Sequence, residues 1–205
     1  MLVLHYTGMA NAEAALDRLC DAVARVGAHY LIDENGRVFS LIPEQSRAWH
    51  AGAAWWRGQT DINARSLGIE LVNPGHEFGL TPFPEPQMSA LIDLAGDILA
   101  RHPVPQINVV GHSDVAPRRK QDPGELFDWR RLAKAGIGLW PDDSKPCDVA
   151  GEQALAMLAE IGYETVDPQK TVAAFQRRFR PRRVDGDIDA ETMGLVESLF
   201  KIMTR

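Results

Sequence analysis

Leu2-Val3-Leu4-His5, at the start of the chain, and Ile107-Asn108-Val109-Val110-Gly111-His112, far downstream, are apolar runs that each end on a histidine. Short apolar runs bounded by turn residues are the pattern of buried strands, and two such strands side by side would bring His5 and His112 together. The loop that follows carries Lys120-Gln121-Asp122-Pro123-Gly124. Two imidazoles and a carboxylate on adjacent strand ends can hold one zinc ion and leave its fourth position for water. Glu70, on a further apolar run, and Lys120 would supply a base and an oxyanion partner for a metal-assisted amide hydrolase. The separation of the two histidines admits no local ligand pattern such as paired histidines on one helix. A histidine closing an apolar strand also has an ordinary reading, as a hydrogen-bonded structural residue. Alternation sets Glu70 on the opposite face from Ile69 and Leu71, which fits a catalytic group and equally an exposed residue on an edge strand.

Outward from these runs, Asn11 is a helix N-cap, and Ala15, Leu16, Leu19 and Val23 recur at helical spacing to about residue 25. The segment from His29 to Ile42 reads as a hairpin turning at Asp33-Glu34-Asn35-Gly36, where Asn-Gly favours positive φ. A long irregular stretch from Pro43 to Arg65 holds Trp49, Trp55 and Trp56, and loops of that length in a compact domain are usually functional. Leu67 to Val72 is a buried strand. Pro82, Pro84 and Pro86 precede a helix whose stripe is Met88, Leu91, Ile92, Ala95, Ile98 and Leu99. Phe127 to Ala135 is a short helix. Trp140 to Pro146 is polar and proline-bounded, a linker, and three helical patterns follow near 151–161, 168–178 and 190–203. The expectation is a mixed α/β fold, with a central sheet flanked by helices over residues 1–140. A linker at 141–147 and a small three-helix unit at 148–205 complete it.

The 205 residues suffice for one medium domain with a core and a small second unit. At 45% hydrophobic and 24% charged residues the chain reads as globular, and no apolar run reaches the roughly 18 residues of a membrane span. The net charge of −6 excludes the basic excess of a nucleic-acid binder. Cys20 and Cys147 lie far apart and read as free thiols. Met1 leads straight into the first strand with no secretory signal pattern, so a cytosolic protein is expected, or an envelope one if a leader was removed. A monomer is expected.

Ordered motifs sharpen this reading. His5-Tyr6-Thr7-Gly8, Ala28-His29-Tyr30-Leu31-Ile32, Arg47-Ala48-Trp49-His50-Ala51-Gly52, Ser66-Leu67-Gly68-Ile69-Glu70-Leu71 and the run from Gly111-His112-Ser113-Asp114 to Lys120-Gln121-Asp122-Pro123-Gly124 occur in succession. Together, over roughly residues 1–140, they resemble the type 2 zinc N-acetylmuramoyl-L-alanine amidases, relatives of phage lysozyme-amidases and animal peptidoglycan recognition proteins. The resemblance implies that His5, His112 and Asp122 bind Zn²⁺, with Asp122 preferred to Asp114 because the family's ligand lies in the Lys-x-Asp-Pro-Gly stretch. Asp114 would then orient backbone or His112. It implies Glu70 as general base and Lys120 as oxyanion partner. Tyr30 resembles a tyrosine beside the metal, and His50 one at the rim of the substrate groove next to Trp49. For Arg118 and Arg119 the expectation is solvent or a peptide carboxylate; His29, His76 and His102 are assigned no role. The implied substrate is peptidoglycan or a muropeptide. Thr171 to Pro181 with Asp185-Gly186 and Asp189 to Thr192 resembles a three-helix peptidoglycan-binding repeat, the alternative being a helical cap on the catalytic domain. The functional alternative is a recognition protein that binds peptidoglycan without cutting it.

Overall fold

The structure, a computed structural model, describes residues 1–141, 144–148 and 150–204; Asp142 and Asp143 of the expected linker, and Val149 and Arg205 of the C-terminal unit, lie outside the described residues. The elements in order are β1 (Leu2–Tyr6), α1 (Ala12–Cys20), β2 (Tyr30–Ile32), β3 (Val38–Ser40), β4 (Leu67–Leu71), α2 (Gly75–Phe78), α3 (Glu85–Arg101), β5 (Val109–Gly111), α4 (His112–Val115), α5 (Trp129–Lys134), α6 (Gly151–Ile161), α7 (Pro168–Phe179) and α8 (Ala190–Met203). Single 3-10 turns occupy Ile62–Ala64 and Gln106–Asn108. None of the described helices is long and apolar enough to cross a membrane.

The strands form one sheet in the order β3-β2-β4-β1-β5. All pairs are parallel except the β2–β3 hairpin, whose turn is closed by Gly36 at φ 84° and by Asp33 Oδ1 accepting from the Asn35 and Arg37 amides. Alternation splits the apolar residues between two faces. Leu2, Leu4, Ile32, Ile69 and Leu71 pack under α3 and α5 through Met88, Leu91, Ile98, Trp129 and Leu132. Gln87 ties α3 to this face by donating to the Ile32 and Val72 carbonyls. On the other face Leu31 and Val72 meet Ala15 of α1, while Val3 and Val110 join Trp56, Ile62 and Val115.

Leu158, Tyr163, Val172, Phe175, Phe179, Val196 and Leu199 of the C-terminal segment belong to that same second core. The three helices thus complete the sheet's covering; Asp167 and Asp189 cap the N-termini of α7 and α8, which begin at Pro168 and Ala190.

Local corrections to the sequence reading have local causes. α1 stops at Cys20, not residue 25, because Asp21 Oδ1 accepts from the Val23 amide; a side chain offering the backbone that bond competes with the helix, and Val23 is left exposed. The last strand begins at Val109 because Gln106–Asn108 form the 3-10 turn, with the Asn108 amide bonded to Pro105. Glu70 lies on the middle strand of the sheet, not on an edge. Cys20 and Cys147 are free.

Candidate metal centre and active site

The parallel register pairs Leu4 with Gly111, so the next residue on each chain, His5 and His112, stands at the same end of the sheet. Gly111 allows the third arm to close in: a Cβ there would lie 2.8 Å from Pro123 Cδ and 3.2 Å from the Trp129 ring. The Ser113 amide donates to the Asp122 carbonyl at 2.9 Å, joining the two segments. Three buried atoms then converge. His5 Nδ1 and His112 Nδ1 are 2.9 Å apart, and each is 3.0 Å from Asp122 Oδ2. Tetrahedral zinc with bonds of about 2.0–2.1 Å sets neighbouring ligand atoms about 3.3 Å apart, so the triangle is close to one face of such a coordination shell.

The chemistry of the donor set agrees with the distances. His112 Nε2 lies 2.9 Å from the Ala51 carbonyl. A carbonyl can only accept, so Nε2 carries a proton, and Nδ1, facing Asp122, is the nitrogen a metal would take. Burial, followed by the neighbouring His112, lowers the His5 pKa from 6.5 to about 4, so this ring is neutral at pH 7. Burial alone would raise Asp122, but the imidazoles outweigh it and hold the carboxyl far below its ordinary range. Three lone-pair donors pressed together in a buried site fit a cation. His5, His112 and Asp122 are the cluster among the described residues that could hold a metal ion.

Glu70 is the register partner of His5 on the neighbouring strand. Its Oε2 is buried without a hydrogen-bond partner, and burial, then Asp122, pushes its pKa well above the carboxylate range. Glu70, His112, Lys120, Asp122 and Trp49 border one cleft of about 480 Å³. Trp49 is half exposed, with the Arg47 guanidinium 4.1 Å over its ring.

The structure does not bring every expected residue to the cleft in the expected way. Tyr30 pairs with Ile69, not Glu70, and so shares the sheet face opposite His5; its hydroxyl donates to Glu44 at 2.7 Å. A place beside the metal is therefore corrected for Tyr30. His50 borders the cleft next to Trp49 as expected, but it is 8% exposed and stacks edge-on against His5 at 5.1 Å. Arg118 pairs with Glu164, and Arg119 donates to the Ala51 and Ala53 carbonyls. Asp114 accepts from the Gly111 amide at 2.8 Å and so fixes the turn into His112.

Tyr6, and His76 to which the sequence reading assigned no role, also border the cleft. The Tyr6 hydroxyl lies 2.8 Å from His76 Nδ1, and His76 Nε2 lies 2.9 Å from Glu125. The signal was Asn73-Pro74-Gly75: Gly75 sits at φ 67°, where a Cβ would fall 2.5 Å from the Tyr6 ring.

Comparison with known proteins agrees with this geometry. Residues 1–125 match the family described as N-acetylmuramoyl-L-alanine amidase. The chain is 40% identical over 231 residues to N-acetylmuramoyl-L-alanine amidase AmiD of Escherichia coli strain K12, covering 98% of this chain and 82% of that protein. The structure of E. coli AmiD with the substrate anhydro-N-acetylmuramic acid-L-Ala-D-gamma-Glu-L-Lys superposes with a TM-score of 0.90 at 39% identity, over 98% of this chain and 88% of that one. AmpDh3 of Pseudomonas aeruginosa in complex with anhydromuramic pentapeptide gives 0.86 at 33% identity, over 99% and 91%. With its matched sequence, its shared fold and its buried His-His-Asp cluster, the chain belongs to the N-acetylmuramoyl-L-alanine amidase family.

Proposed function

We propose that the chain hydrolyses the amide bond between N-acetylmuramic acid and L-alanine in peptidoglycan fragments, with one zinc ion held by His5, His112 and Asp122. The observation that carries this reading is the convergence of those three donor atoms, each within 3.0 Å of the others, beside a buried carboxylate. Bound zinc supplies Lewis acidity toward water and the scissile carbonyl. Glu70 takes the proton of the attacking water and hands it to the departing amine of L-alanine, a role worth about 10²- to 10⁴-fold for a well-placed base. Lys120 faces the negative charge that develops on the lactyl oxygen. Trp49 offers the substrate a flat amphipathic wall.

The solved relatives, AmiD and AmpDh3, hold anhydromuropeptides, which supports soluble anhydromuropeptide as a substrate here. Purified protein should contain close to one zinc per chain. Chelation should abolish release of the peptide from muropeptides, followed by mass, and added zinc should restore it. Full activity in chelator with no zinc by metal analysis would refute the mechanism. Uncleaved but tightly bound muropeptide would favour the recognition-protein alternative.

A further inference from the structure

Building on the zinc reading, we propose that His50 is a positioning residue, one that fixes the tautomer of the metal ligand His5 instead of contacting substrate. The protons can be followed outward from a backbone carbonyl. The Ser66 hydroxyl lies 2.5 Å from the Ile62 carbonyl, which can only accept, so Ser66 donates there. Its oxygen is left as the acceptor for His50 Nε2 at 3.3 Å, and that nitrogen therefore carries the proton. With that ring neutral, His50 Nδ1 is a bare lone pair, 3.0 Å from His5 Nε2. Nε2 of His5 must be the donor, which leaves His5 Nδ1 unprotonated and directed at His112 and Asp122. Both ring nitrogens of His50 are thus occupied inside the fold.

The next residue does the same for the second histidine, since the Ala51 carbonyl fixes the proton on His112 Nε2. Asn63 pins the pair: its Oδ1 accepts from the His50 and Ala51 amides at 3.0 and 2.7 Å. Gly68 provides the room, because a Cβ there would lie 2.5–2.7 Å from atoms of the His50 ring. Partners of this kind around metal-bound histidines typically change metal affinity by about 10- to 100-fold when removed.

The test compares His50→Asn with His50→Leu. Asn places an acceptor oxygen where Nδ1 stood, whereas Leu fills similar space without one. Zinc affinity is measured by competition with a chromogenic chelator, and thermal unfolding of the metal-free proteins checks that both variants are folded. The expected result is a dissociation constant raised about 10- to 100-fold in His50→Leu and only a few-fold in His50→Asn. Nitrogen-15 imidazole spectra of the metal-free native protein should show both His5 and His112 protonated at Nε2. Native-like zinc affinity in His50→Leu, equal weakening in both variants, or an Nδ1 proton on His5 would overturn the proposal. Should the native chain take up no zinc at all, the earlier reading falls, and the imidazole spectrum alone decides the tautomer.

Discussion

Glu70 combines a buried, unbonded carboxylate oxygen with a position one strand away from His5, a costly arrangement unless the group has work to do. Glu70→Gln keeps its shape and removes its basicity. Zinc content should be unchanged while kcat on a soluble muropeptide falls at least about 10²-fold. Lys120→Ala should also keep the metal and lose about 10²- to 10³-fold, the usual effect of deleting an oxyanion partner. Near-native turnover in either variant would remove that residue from the chemistry. The same groups set a pH dependence in the metal-free protein. The unfolded chain protonates His5 near 6.5 and the folded chain near 4, so falling pH across that window favours the unfolded state. Glu70 acts in the opposite sense: its raised pKa means that the folded state holds the proton more readily, so acid favours folding through it. His50 and His29, also lowered by burial, act with His5, so native protein should lose Tm between pH 6.5 and 4, and Glu70→Gln should show a steeper fall. Equal slopes would show that burial of Glu70 does not shift its titration.

At the level of elements, two glycines separate packing from propensity. Gly68 in β4 has the His50 ring against it, whereas a Cβ added to Gly96, exposed in α3, would meet nothing within 4 Å. Gly68→Ala should lower stability by about 1–3 kcal/mol through overpacking and weaken zinc binding. Gly96→Ala should raise stability by about 1 kcal/mol, since alanine is the better helix former. Denaturant unfolding of both measures this contrast, and a harmless Gly68→Ala would mean that His50 moves aside without cost. These elements also explain what could be read in advance. Strand cores were legible because apolar runs such as Leu2-Val3-Leu4 and Leu67 to Leu71 are buried on both faces. The convergence of His5 and His112 was legible because each closes an apolar run, and that of Asp122 only because its loop carries a motif. Register was not legible. Whether Tyr30 faces the metal or α3 depends on its pairing with Ile69 instead of Glu70, a one-residue choice that inverts the side chain. The Tyr6–His76–Glu125 chain was equally hidden, because it joins three segments whose proximity only the folded sheet creates.

For the whole molecule the deciding question is what the C-terminal helices do for the catalytic sheet. Their apolar side chains share one core with Val3 and Val110 of the strands that carry the two histidines. Arg178 of α7 reaches the buried carboxylate of Asp114 at 3.0 Å, donates to the Val109 carbonyl, and lies 4.0 Å over the Trp129 ring. Tyr163 donates to the other oxygen of Asp114 at 2.8 Å. Asp114 in turn holds the Gly111 amide, so the helices reach the residue before His112 in two hydrogen-bonded steps. Cutting the chain within 141–147 would expose the second core and strand the Asp114 charge, and removing one partner of a buried pair alone costs about 3–5 kcal/mol. That is a large part of the roughly 5–15 kcal/mol that holds a domain folded. The truncated chain should accordingly melt far below the full protein, bind hydrophobic dye and lose zinc, while Arg178→Met, which keeps the helices, should show a smaller loss of stability and a measurable weakening of zinc. If the truncated chain instead stays folded with its metal and loses only retention on insoluble sacculi, the helices act as the separate wall-binding module that their sequence resembles.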